Sequence, residues 1–213
     1  MIPDPLSVPD VLNGQSSDGH RFPFARIGED VSIWPLAKII APERIEIGDS
    51  VIIDDFALLM AGEWMQIGSF VHIAAFTSVM GGGRFVMDDF AVLSGGVRVY
   101  TATDDFTGGC LTGSAVPAPY RIAERSRVEI GKHAIVGASS VILPGVKIGE
   151  GAAIGANSLV TKDCEPWTIY FGSPAKPHRP RRSDRILELE AQLRRELFDI
   201  DGRYISKRLR KSP

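Results

Sequence analysis

RIGEDVSIWPLAKIIAPERIEIGDSVIIDDFALLMAGEWMQIGSFVHIAAFTSVM (26–80) is a sequence in phase with itself. Ile27-Gly28 returns as Ile47-Gly48 and Ile67-Gly68, and the next step of twenty residues reaches Met87-Asp88. Inside each period an apolar residue recurs six positions on and six again: Ile27, Ile33 and Ile39, then Ile47, Ile53 and Leu59, then Ile67, Ile73 and Val79, then Met87, Leu93 and Val99. The phase breaks after Tyr100 and resumes in strict hexads at Ile130, Val136, Ile142, Ile148, Ile154 and Val160. Internal repeats take priority in reading any chain, because each repeat buries its apolar face only against its neighbours. A short strand followed by a sharp turn makes one side of a triangular prism, and three sides make a coil. The aliphatic residue points inward and stacks on its equivalents above and below. Small residues (Gly28, Gly48, Gly68, Gly131, Gly137, Gly149, Gly155) follow it at the corners, where a side chain would crowd the turn or positive φ is needed. A β-sandwich is the competing reading. Its strands would alternate in polarity between turns of irregular spacing, and this constant phase does not suit it.

The rest of the chain is organised around that solenoid. Residues 1–26 carry Pro, Asp, Ser and Gly without phase, and are read as a leader or incomplete coil capping the prism. Residues 27–165 are the β-helix, interrupted by a long loop at 101–127; loops of that length inside a compact domain are usually functional. Residues 166–213 begin extended and proline-rich. From Ser183 they become helical, with Ile186, Leu189, Leu193 and Leu197 on one face. The basic residues Lys207, Arg208, Arg210 and Lys211 read as a solvated tail.

Bulk properties exclude several classes. The 213 residues suit one domain and an appendage. With 44% hydrophobic and 23% charged residues and a net charge of −2, neither disorder nor a nucleic-acid surface is indicated. No apolar run is long enough for a membrane span, and the N-terminus lacks the pattern of a signal peptide, so a cytoplasmic protein is expected. Cys110 and Cys164 stand in no metal-binding spacing and read as reduced thiols.

VEIGKHAIVGASSVILPGVKIGEGAAIGANSLVTKD (128–163) and GSPAK (172–176) resemble the hexapeptide-repeat acyltransferases, in the galactoside and maltose O-acetyltransferase branch. The resemblance implies an all-β fold, a left-handed parallel β-helix with an excursion loop and a C-terminal α-helix. It implies a homotrimer with active sites between prisms and acetyl-CoA as co-substrate, lying along the C-terminal coils past Ala138 and Ala156 with Lys162 near its phosphates. The family's tryptophan near the thioester arm is Ile135 here. A second stretch, VYTATDD (99–105), opens the long loop. Family members often write YTATHP there, with the histidine as catalytic base; this chain has Asp104 in that position and Asp105 in place of the proline.

That departure leaves three candidates for the base: Asp104, Asp105 and His72, the last two residues before Ala74, where the family places an acceptor-lining asparagine. Residues two apart in a strand share a face. His133, at a hexad corner, reads as a surface residue near the edge of the CoA groove, while His20 and His178 carry no signal. A sugar hydroxyl needs an imidazole base, whereas an amine with a pKa near 8 is partly neutral at physiological pH. N-acetylation of a nucleotide-linked amino sugar is therefore favoured, in likeness to nucleotide-sugar N-acetyltransferases of surface-polysaccharide synthesis such as the perosamine N-acetyltransferases. A sugar O-acetyltransferase using His72, and a non-catalytic β-helix scaffold, are the alternatives. With a single histidine in the mid-coils, no metal site is expected.

Overall fold

The computed structural model describes residues 22–205. Most of the leader and the whole basic tail lie outside the described residues. Within them the chain winds six coils into a three-sided prism. The first face stacks Arg26–Ile27, Ile45–Ile47, Met65–Ile67, Phe85–Met87, Val128–Ile130 and Lys147–Ile148. The second runs from Ser32–Ile33 through Ile52–Ile53, His72–Ile73, Val92–Leu93, Ile135–Val136 and Ala153–Ile154 to Thr168–Phe171. The third carries Lys38–Ile40, Leu58–Met60, Ser78–Met80, Arg98–Tyr100, Val141–Ile142 and Leu159–Val160. Within the coils every ladder is parallel, in a register of like on like such as Ile47 on Ile67 and Leu93 on Val136. This is the left-handed parallel β-helix.

The hexad positions fill the prism. Ile47, Ile53, Leu59, Ile67, Ile73, Leu93, Ile130 and Ile148 are each at most 1% exposed. Ile27 and Ile39 are only partly buried, because they belong to the end coil; Phe22 and Phe24 pack there against the core.

The corner glycines answer to crowding rather than to φ. A Cβ on Gly68 would lie 2.6 Å from the backbone nitrogen of Asp89 on the next coil. Positive φ falls two residues further on, at Asp30, Ser50, Phe70, Phe90 and His133. Phenylalanine adopts that region at a cost. Here Phe70 and Phe90 stack at 4.8 Å, and the His133 ring lies 5.0 Å beyond Phe90.

Two additions decorate the prism. At the corner between the third and first faces, Ala102–Asp104 and Ala123–Arg125 pair antiparallel as a short ribbon, the stem of the excursion loop. Gly82 and Gly83 let this stem sit down on the prism: a Cβ on Gly82 would fall 2.6 Å from Nε of Arg125. The second addition is the segment after the last coil. Lys176–Pro180 turns back antiparallel on Thr168–Phe171, and the helix Asp184–Leu197 then runs down the corner between the first and second faces.

The helix docks through most of the face its apolar residues mark, with Leu197 buried and Ile186 and Leu193 half-buried, but departs from it at the middle. Leu189 is 46% exposed, while Glu190 is buried. Glu190 accepts from Nζ of Lys132 at 2.7 Å, from Nε2 of His133 at 2.7 Å and from Nε of Arg194 at 2.5 Å, and Arg194 reaches Asp89 at 3.2 Å. The corner offers a histidine, a lysine and two phenylalanines, so the complementary helix face is centred on a carboxylate. Further on, Phe198 packs beside Phe70, and Tyr204 Oη donates to Asp30 on the first coil at 2.9 Å. His133 is thus a buried residue under the helix, correcting the expectation of a surface position at a cofactor groove.

Candidate active site

The ribbon straddles the fourth coil and divides the surface beside it into two hollows. One, of about 630 Å³, opens toward the C-terminal coils between Tyr100, Phe106, Glu124, Leu143, Pro144 and Thr161. The other, of about 470 Å³, opens toward the N-terminal coils over Met60, Met80, Gly81 and Gly82, with Arg121 and Arg125 on its wall. Ala102, Thr103 and Asp104 line both.

Asp104 closes the first ribbon strand. Its Oδ2 accepts from the backbone N–H of Gly113 at 3.0 Å, a single bond that orients the carboxylate and leaves it free to accept more. Asp105 is differently placed. One of its oxygens accepts from the N–H and hydroxyl of Thr107, at 2.7 and 2.5 Å, and the other from the N–H groups of Gly109 and Cys110, at 2.5 and 3.1 Å. These bonds, the Thr107 pair foremost, outweigh the small effect of burial and hold its carboxyl at about 2. A carboxylate so fully occupied caps a loop and is a poor proton acceptor.

His72 stands on the second face, half-buried, its Nε2 3.0 Å from Oδ2 of Asp54 on the preceding coil. It shares neither hollow with Asp104 within one chain. Ala138 and Ala156 occupy exposed positions one coil apart at the corner between second and third faces, where Asn157 donates its N–H to the Ala138 carbonyl at 2.9 Å. Lys162 is exposed at the opposite edge of the third face, next to Thr161 of the larger hollow. The three residues expected along a CoA therefore border one face without sharing one pocket. Sequence reasoning passed over Arg121, Arg125 and Glu124; the signal for them was the ribbon pairing, which three-residue strands without alternation do not announce.

Both cysteines are free thiols. Burial, with Asp163 and Glu165 adding to it, pushes the Cys164 thiol up to about 11. Among the described residues no group of three or more His, Cys, Asp or Glu is arranged to hold a metal ion, and no helix is long and apolar enough to cross a membrane.

A six-coil prism with a ribbon-stemmed loop is the architecture of the hexapeptide-repeat class. Residues 127–162 match the family described as bacterial transferase hexapeptide (six repeats). The crystal structure of AntD, an N-acyltransferase from Bacillus cereus in complex with dTDP and 3-hydroxybutyryl-CoA, superposes with a TM-score of 0.80 at 39% identity, covering 87% of this chain and 98% of that one. The dTDP-4-amino-4,6-dideoxy-D-glucose acyltransferase of Escherichia coli is 41% identical over 111 residues, a match that spans 52% of this chain and 57% of that enzyme's length. A maltose O-acetyltransferase from Clostridium difficile 630, at 21% identity and a TM-score of 0.52, shares the fold. The chain belongs to the hexapeptide-repeat acyltransferases, in the family that includes AntD.

Proposed function

We propose that this protein is an acyl-CoA-dependent N-acyltransferase that acylates the amino group of a nucleotide-linked amino sugar, with acetyl-CoA or a short-chain acyl-CoA as donor. The observation that carries this reading is Asp104: a carboxylate with acceptor capacity to spare, standing where the two hollows meet. The larger hollow toward the C-terminal coils suits the pantetheine arm and acyl group, with Lys162 at its edge for the phosphates. The smaller hollow suits the acceptor. A sugar amine attacks the thioester carbonyl carbon, the carbon–sulfur bond breaks, and an amide and CoA thiol result. Asp104 attracts the ammonium form on binding; the nitrogen gives one proton to solvent before it attacks, and Asp104 takes the second as the amide forms and passes it to the departing thiolate. No imidazole is required, because the neutral amine is already nucleophilic. Asp105 holds the loop from which Asp104 projects.

The same reading includes a homotrimer. Phe56 and Phe76, stacked at 5.1 Å on the corner between second and third faces, are 52% and 66% exposed. At the loop, Phe106, Tyr120 and Ile122 are exposed as well. Two apolar patches that do not meet within one chain favour a heterologous contact that closes a ring. Such a ring lets the loop of one copy approach the face carrying His72 of the next. The place of action is the cytoplasm, in the synthesis of a surface polysaccharide such as an O-antigen.

One observation favours a second reading. The His72–Asp54 pair is a histidine oriented by a carboxylate, the arrangement that hydroxyl acylation needs. The test sets an amino sugar nucleotide against its hydroxyl counterpart with one enzyme, following CoA thiol release. The amine should turn over at a rate that climbs toward pH 8–9. Equal or faster acylation of the hydroxyl compound would replace this reading by O-acyl transfer through His72.

A further inference from the structure

The excursion-loop ribbon sorts its side chains by alternation. Ala102 pairs with Arg125 and Asp104 with Ala123. Residues two apart in a strand, and directly paired residues across it, share a face. Asp104 and Arg125 therefore project from one face of the ribbon, and Thr103 and Glu124 from the other. Ala102, Thr103 and Asp104 of the first strand line both hollows, whereas the second strand is divided between them, with Arg125 lining the N-terminal one and Glu124 the C-terminal one. Arg121 joins Arg125 on the same wall; its Nε donates to the carbonyl of Val116 at 2.9 Å, which fixes the guanidinium while leaving its terminal nitrogens for other acceptors. Arg125 has no carboxylate partner among the described residues. Its side chain lies against the prism corner at Gly82, where a Cβ would come within 2.6 Å of Nε and 3.0 Å of Cδ. That glycine keeps room for the arginine stem in the one direction that lays it along the hollow.

We propose that Arg121 and Arg125 form the subsite for the diphosphate of the acceptor, and that the hollow they share with Asp104 selects sugars carrying an amine at one end and a nucleoside diphosphate at the other. The inference rests on the nucleotide-amino-sugar reading above and adds the residues that impose it. One carboxylate matches one ammonium. Two guanidiniums match the charge of a diphosphate, which they can bind through paired N–H···O bonds. Arg121, anchored by its bond to Val116, loses little freedom on binding, so its interactions go into affinity, while the exposed Arg125 is directed only by its place beside Gly82. The CoA phosphates are the competing ligand for the same chemistry; the hollow opens toward the N-terminal coils, away from Lys162.

The test is calorimetric titration of thymidine diphosphate, thymidine and CoA into the wild-type protein and into Arg125→Gln, Arg125→Lys and Gly82→Ala. It is joined to steady-state kinetics with an amino sugar nucleotide and with the same amino sugar lacking its nucleotide. Arg125→Gln should weaken thymidine diphosphate about tenfold or more, the usual loss for a hydrogen bond to a charged group, with thymidine and CoA unchanged. Arg125→Lys should fall between. Gly82→Ala should mimic the glutamine variant by displacing the arginine, and so supplies the comparison if Arg125→Gln does not fold. In kinetics, the KM for the nucleotide sugar should rise while acylation of the bare amino sugar stays constant. An unchanged thymidine diphosphate affinity in the variants would overturn the assignment and leave the proposed function standing. Weakened CoA binding would give the hollow to the donor instead, and an equal loss with the bare amino sugar would reduce Arg125 to a prop for the ribbon. A wild-type protein that binds CoA but none of the thymidine, uridine or guanosine diphosphates would sink the nucleotide reading itself.

Discussion

At the scale of single residues the adjacent pair Asp104 and Asp105 shows how much the backbone decides. The two are chemically identical, yet one carboxylate is closed off by four donors and the other holds one. Asp104→Asn keeps the shape and removes the proton acceptor, so kcat/KM for the amine should fall by about 10–1000-fold, within or somewhat below the range for general-base groups. A pH–rate profile rising toward pH 8–9 should survive in His72→Ala if the nucleophile is an amine. Lys162→Ala should raise the KM for the acyl-CoA several-fold with kcat little changed, the signature of an interaction equal in ground and transition states. The sequence showed that an aspartate replaces the histidine at position 104. It did not show which of the neighbouring aspartates is engaged, because that depends on N–H groups of Thr107, Gly109 and Cys110 folding back on Asp105. His133 was illegible for a like reason: its partner, Glu190, lies 57 positions along the chain.

At the scale of elements, the coils were readable because every inward residue meets its own kind, so periodicity alone specifies strand, face and register. The helix was readable as a helix, and Ile186, Leu193 and Leu197 mark much of its docking face; that Glu190 rather than Leu189 is buried at its centre was not legible, since an apolar stripe is a guide only where the surface beneath it is apolar. Here the surface is charged. Burial raises the carboxyl of Glu190, but hydrogen bonds from Lys132, Arg194 and His133 outweigh it and hold it at about 2, below the ordinary value of 4.5. A folded-state value below the unfolded one means that this stabilisation is complete above about pH 4.5 and is lost as the pH falls toward about 2. Amide exchange along 184–197 should therefore quicken across that acid window before the coils give way. Glu190→Ala should destabilise the protein by about 1–2 kcal/mol at neutral pH, since it removes the common partner of Lys132, Arg194 and the buried His133; an unchanged thermal midpoint would show that the helix docks by other contacts.

At the scale of the molecule, a prism with two separated apolar patches is expected to close on copies of itself. Sedimentation at micromolar concentration should give about three times the 23.1 kDa chain mass; a stable monomer that retains full activity would remove the inter-subunit site. The core tolerates no charge: Ile67, 1% exposed, should not be replaceable by Asp in a folded protein. The C-terminal segment bears on how such a stack holds together. Solenoids are ordinarily chains of nearest neighbours, free to fray from either end. Here residues from Glu190 to Tyr204 touch the fifth coil, the fourth, the third and finally the first, at Asp30. A segment made after all six coils is thus the part that ties the first coil to the later ones, so the coils are secured against one another only after the last of them has been made. A protein lacking residues 184–205 should melt coil by coil over a broad range, where the intact chain melts in one sharp step.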